Sequence, residues 1–222
     1  GVAVLDADLR LKAGISPTDT WPLAWITALA EDPQGRMWLG SRDGLYLQTP
    51  GSGFRRWAVE HGLTSSSIRR LHFDQAGVLW VGTSNGLFRS DPEAVPPRFE
   101  RLSLSDGRAL GGEINAFAES AAGQLWVGGA AGLLRVDGLS LLPVDLGLGD
   151  AAVVGLLLDR GGVLWADTTS GLRKLSPGSA PETPRALAGL ASDFGANLLE
   201  DGAGRLWSHR YVLDLSAERL HS

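Results

Sequence analysis

Apolar and polar positions along this chain fall into short runs, each closed by a turn signal. Between residues 67 and 103 the runs are Ser67–Phe73, Val78–Thr83, Leu87–Ser90 and Arg98–Ser103. Runs this short, bounded by Asp, Gly, Asn and Ser, predict β-strands rather than helices. The first turn reads Asp74-Gln-Ala-Gly77. There the Asp can accept a hydrogen bond from the backbone two residues on, and the Gly takes a positive φ. Ser84-Asn85-Gly86 forms the second turn. The same order of strands and turns starts again near Trp25, Ile114, Val153 and Asn197.

One motif sets the period of this pattern. It reads Asp-x-x-Gly-x-hydrophobic-Trp and ends at Trp38, Trp80, Trp126, Trp165 and Trp207, which lie 42, 46, 39 and 42 residues apart. A period near 40 with strand-like patterning predicts an all-β fold, a β-propeller with one four-stranded blade per repeat. Residues 1–222 then read as a single propeller domain of about five blades. The recurring Trp is expected to wedge between adjacent sheets. The Gly two residues later (Gly40, Gly82, Gly128) is expected to allow a close backbone approach. The recurring Asp is read as a turn cap, because single carboxylates one blade apart cannot jointly ligate calcium. Two closures stay open. Residues 2–11 could add the outer strand of blade five and close a five-bladed ring, or the chain could be part of a larger propeller with open edges.

Composition narrows the function. The chain is 44% hydrophobic and 20% charged, with a net charge of −5, which supports a buried core. No basic run or aromatic-basic stripe points to nucleic acid. There is no Cys, hence no disulfide, thiol nucleophile or thiolate-bound metal. No apolar stretch approaches the ~18 residues of a membrane span. The first residues lack the pattern of a signal peptide. The chain opens at Gly1 in strand-like sequence and is read as a piece of something longer, so that lack says little about compartment.

The residues Ile68 to Phe88, ending Leu79-Trp-Val-Gly-Thr-Ser-Asn-Gly-Leu-Phe88, resemble the two-component regulator propeller repeat. The linker Phe54 to Ser67 is similar to that family's outer strand and following loop, with His61 where an acidic residue is usual. The resemblance covers roughly residues 20–215. It implies an extracytoplasmic, periplasmic sensor region of a bacterial hybrid histidine kinase or diguanylate cyclase receptor. Membrane attachment would then come only through flanking segments. It also implies a small polar ligand, an oligosaccharide among the candidates; no cofactor is expected. Three departures stand out. Ser120 replaces Asp, Asp167 replaces Gly, and blade five reads Trp207-Ser-His-Arg-Tyr-Val212 without a Gly-Leu pair.

A propeller generally binds its ligand at one end of the central channel. The loops before the inner strands and between second and third strands line that end. Here they supply Trp25, Arg42, Asp43, Asn85, Glu113, Asn115, Asp167, His209 and Arg210 as candidate ligand-binding residues. This polar mix suits a polyol or a carboxylated molecule. His72 alternates with apolar neighbours and reads as a packed strand residue, while His61 reads as a solvated loop residue. No catalytic or metal-ligand spacing occurs, so no catalytic residue and no metal ligand is expected. Two alternatives remain. One is a protein-interaction scaffold, with self-association through blade edges. The other is a metal-dependent lyase resembling the streptogramin lyases, for which His209 is the residue to watch.

Overall fold

A computed structural model of the chain describes residues 2–5, 11–15, 25–49, 53–91, 94, 96–184, 186, 198–208, 212–217 and 219–221. Five antiparallel blades follow one another along the sequence. Blade one holds Ile26–Glu31, Met37–Ser41, Leu45–Thr49 and Gly53–Trp57. Blade two holds Ile68–Phe73, Leu79–Thr83, Gly86–Asp91 and Arg98–Arg101. Blade three holds Ile114–Glu119, Leu125–Gly129, Gly132–Asp137 and Ser140–Val144. Blade four holds Val153–Leu158, Leu164–Thr168 and Gly171–Leu175, with an isolated bridge between Lys174 and Glu182 at its outer side. Blade five holds Leu199–Glu200, Arg205–Trp207, Val212–Asp214 and Arg219–His221. The fold is all-β, and every motif Trp sits in the second strand of its blade.

Two details differ from the sequence expectation. Val2–Leu5 pairs with Leu11–Ile15 in a separate two-stranded sheet. The outer place in blade five is taken by Arg219–His221, which pairs with Val212–Asp214. That edge is therefore already satisfied, and the described N-terminal strands do not complete blade five. The run expected to end blade two at Ser103 also stops earlier. Ser103–Leu104 crosses over and pairs in parallel with Ser140 and Leu141 of blade three.

The motif's local chemistry is visible in four blades. In blade two, Asp74 Oδ1 accepts the backbone N–H groups of Ala76 (3.0 Å) and Val78 (2.8 Å), while Oδ2 accepts the indole N–H of Trp80 at 2.8 Å. The indole bonds of Trp38, Trp165 and Trp207 to Asp32, Asp159 and Asp201 are 3.1, 2.8 and 2.7 Å. One carboxylate thus caps the turn and fixes the Trp rotamer. Burial alone would push the Asp32 carboxyl up, but the Arg36 N–H, the Trp38 indole and the Arg36 guanidinium outweigh it and hold it below the usual range. In blade three Ser120 Oγ still accepts the Gln124 N–H at 3.1 Å.

Blade-to-blade packing follows from the Trp and Gly positions. Trp38 packs with Leu71 and Phe73 of blade two, Trp80 with Ile114 and Leu125 of blade three, and Trp165 with Leu206 and Leu213 of blade five. A Cβ added to Gly40, Gly82 or Gly128 would lie 2.6, 2.7 or 2.4 Å from Ile68, Ile114 or Val153 of the next blade. The glycines therefore let the first residue of the next inner strand seat against the sheet.

Candidate functional site

The inner strands of blades one to four, with Leu198 just before the inner strand of blade five, border one central cavity of about 480 Å³, whose lining includes Arg70, His72, Asn115 and Phe117. A β-bulge stands at the start of four inner strands, between Ile26 and Ala28, Ile68 and Arg70, Ile114 and Ala116, and Val153 and Gly155. A bulge adds a residue and re-aims its side chain. Here the added residues turn toward the next blade. Thr27 Oγ1 donates to the Ile68 carbonyl at 2.7 Å, Arg69 Nη2 to Asn115 Oδ1 at 3.0 Å, and Asn115 Nδ2 to the Val153 carbonyl at 3.1 Å. Arg69 also pairs with Glu113 at 3.2 Å. These bonds link blades one to four around the end where the inner strands begin.

Toward the other end, His72 Nε2 lies 3.0 Å from Glu119 Oε2, and its ring stacks on Phe117 with centroids 5.6 Å apart. The second oxygen of Glu119 accepts the Gln75 backbone N–H at 3.1 Å, and Glu200 accepts that of Arg160 at 2.9 Å. His72 is thus a cavity residue as well as a packed one. Its alternation with apolar neighbours hid this, because an inner strand shows one face to the channel. His61, read as solvated, is instead packed edge-on against Trp57 with centroids 4.3 Å apart. The left-handed Gly62 that follows (φ 96°) turns the chain so that its ring folds back.

Of the nine candidate residues, four fall into two pairs, three stand singly and two lie outside the described residues. Trp25 is 75% exposed, and the Arg42 guanidinium lies 5.3 Å from the centre of its ring. Glu113 and Asn115 are brought together through Arg69. Asp43 is taken up by its turn, where its side chain accepts the Ser41 hydroxyl. Asn85 is exposed, its backbone N–H bonded to Thr83 Oγ1 at 3.0 Å. His209 and Arg210 lie outside the described residues.

Asp167 is wholly buried, and among the described residues neither carboxylate oxygen has a partner in normal hydrogen-bond geometry. Burial pushes its pKa up to about 7, which the nearby Thr168 N–H only partly offsets. Asp167 stands where blades one to three have glycine. Counting back six residues from each motif start gives Ile26, Ile68, Ile114, Val153 and Gly195. The large and small partners are therefore exchanged in the sequence between blades four and five; residue 195 itself lies outside the described residues.

A second cleft of about 650 Å³ lies between blades three and four and includes Trp126, Leu158, Leu164 and Pro177. It is larger but mainly apolar. The central cavity brings charged, amide and aromatic groups from several blades together, which is the usual make-up of a site for a polar ligand. Among the described residues no group of three or more His, Asp or Glu could hold a metal ion. No helix among them is long and apolar enough to cross a membrane.

Fold and repeat define a β-propeller. The two-component regulator propeller family matches residues 20–43 and 62–85, so the chain carries repeats of that family in its first two blades. Solved structures agree on the fold. The extracellular domain of the hybrid two-component system BT4673 from B. thetaiotaomicron superposes with a TM-score of 0.71 at 20% identity, over 87% of this chain and 27% of that one. PorZ, a surface component of the type-IX secretion system of Porphyromonas gingivalis, gives 0.70 at 18% identity, over 92% and 34%. Virginiamycin B lyase from Staphylococcus aureus gives 0.66 at 11% identity, over 88% and 68%. The chain thus spans about a quarter to a third of the first two, and identities this low show the fold alone. No curated protein matches the chain.

Proposed function

We propose that this chain is a non-enzymatic, extracytoplasmic sensor propeller of a bacterial two-component-type receptor, binding a small polar ligand in its central cavity. The carrying observation is the cavity itself, lined by residues of all five blades and edged by the Thr27, Arg69, Asn115 and Glu113 bonds. The repeat match supports the receptor context, as does the likeness to an extracellular domain of a two-component system. A ligand seated across several inner strands would tie blades together and shift the balance between two packings, which is what a sensor needs.

The test is a thermal-shift screen of the purified chain against mono- and oligosaccharides and small organic acids. Saturable stabilisation without turnover is the expected result. Consumption of a compound, abolished by His209→Ala and by chelators, would replace the sensor with the lyase reading.

One observation favours a second reading, a docking scaffold. Trp25, Leu199 and Trp207, all on the first and last blades, are 75, 64 and 41% exposed. Light scattering over a range of concentrations separates the two. A concentration-dependent dimer supports edge pairing between copies.

A further inference from the structure

Two neighbouring arginines on the inner strand of blade two are treated very differently by the structure. Arg69 is neutralised, with Glu113 at 3.2 Å and Asn115 at 3.0 Å. Arg70 lines the cavity, and its described bond is one Nη1 donation to the Arg69 carbonyl at 2.9 Å. No carboxylate among the described residues pairs with it. Partial burial, and then the charge of Arg69, lower its pKa. Both effects work against the charged form, yet a guanidinium stays protonated in proteins. A partly desolvated cation beside a second cation, with no anion of its own, is costly to keep.

We infer that Arg70 is the anchor of an anion subsite in the central cavity, and that the ligand carries a carboxylate on a small polar framework, as an acidic sugar does. A guanidinium offers five N–H donors, of which the Arg69 carbonyl takes one. The remaining fork matches the two oxygens of a carboxylate. The cavity volume of about 480 Å³ suits a molecule of sugar size, and Phe117, Leu71 and Leu156 give its carbon skeleton an apolar wall. The net charge of the chain is −5, so the attraction is local to this site and not a property of the whole surface. The inference rests on the reading of the cavity as a ligand site.

The experiment is calorimetric titration of the purified chain with glucuronate, glucose and inorganic sulfate at fixed ionic strength. The variants are Arg70→Gln, Arg70→Lys and the surface control Arg98→Gln. Glucuronate is expected to bind more tightly than glucose. Arg70→Gln should weaken it by about 10- to 100-fold, the usual worth of a charged hydrogen bond. Arg70→Lys should recover part of the loss, and Arg98→Gln should change nothing. Because Arg70→Gln removes an uncompensated charge, its melting temperature should equal or exceed that of the parent, which also shows that it folds. Equal glucuronate affinity in the parent and Arg70→Gln overturns the inference. Sulfate binding as tightly as glucuronate refutes the carboxylate assignment. If neutral sugars bind and glucuronate does not, the anion subsite falls and the sensor reading stands. If none of the three compounds binds, the anion subsite falls, and the broader screen decides the sensor reading.

Discussion

Blade two and blade five carry the same motif and make the same turn and indole bonds, with an added Arg205–Asp201 pair in blade five, yet their tryptophans live in different surroundings. Trp80 bonds Asp74 at 2.8 Å and is 4% exposed. Trp207 bonds Asp201 at 2.7 Å and is 41% exposed. The difference lies in what covers them. Trp80 is covered by Ile114 and Leu125 of blade three. The motif is therefore a local device that fixes a turn and a rotamer, and burial is conferred by the neighbouring blade. Within one repeat protein, stability is a sum of intrinsic blade terms and interface terms, and these two blades separate the two terms.

The largest effect should come from removing the covered ring. Trp80→Ala is expected to cost about 3–5 kcal/mol, the usual range for a buried Trp, and Trp207→Ala about 1–2 kcal/mol, read as the shift in urea unfolding. Equal costs would show that Trp207 is covered in solution, and would move the comparison toward edge docking.

The junction between blades four and five should show up in pH dependence. Asp167 has a folded pKa of about 7 against an ordinary value of 3.8. Its contribution is therefore fully present below pH 4 and is lost as pH rises toward 7, where the folded protein must also ionise it. The loss should be roughly 2–4 kcal/mol, one pKa unit being worth about 1.4 kcal/mol. Asp167→Asn should flatten that slope in unfolding curves taken from pH 4 to 8. An unchanged slope would mean that Asp167 finds a partner or solvent in solution.

Gly82→Ala tests the interface term alone, since it leaves the Asp74 turn intact. Its Cβ would lie 2.7 Å from Ile114, so a cost of about 1–3 kcal/mol from overpacking is expected. Adding Ile114→Ala, which removes the nearest atom Cγ2, should cost less in the Gly82→Ala background than in the parent, a coupling that a double-mutant cycle measures directly.

The smallest effect should come from the caps. Asp74→Asn keeps the shape and an acceptor but drops the charge, and about 1 kcal/mol is expected. Asp201→Asn should cost less, because solvent can satisfy the exposed indole and screens the partly exposed pair with Arg205. A larger loss at Asp201 than at Asp74 would contradict the split between local and interface terms.

Much of this architecture was legible before any coordinates. The spacing of the five tryptophans gave the blade count, and Asp-x-x-Gly gave the first turn, because a turn and a period are local properties. The glycine at positions 40, 82 and 128 was legible as a close approach, though not what it approaches. The second job of the Asp, holding the indole six residues on, left no separate trace in the sequence, since a turn cap alone explains the same letter. The candidate site was less legible. Loop residues such as Asp43 were taken up by their own turns, and the cavity groups His72 and Arg70 sit in strands whose pattern reads as packing. Which face of an inner strand meets the channel depends on a bulge that no residue type announces.

The sequence by itself determined the all-β repeat, the capped turns and the place of each Trp, because these follow from interactions spanning a handful of residues. Only the tertiary structure decided which tryptophans are covered, which Asp is buried with no partner among the described residues and which of two adjacent arginines meets no carboxylate among them. Those outcomes depend on what the neighbouring blade brings within a few ångströms, and residues some forty positions apart in sequence carry no local record of that meeting.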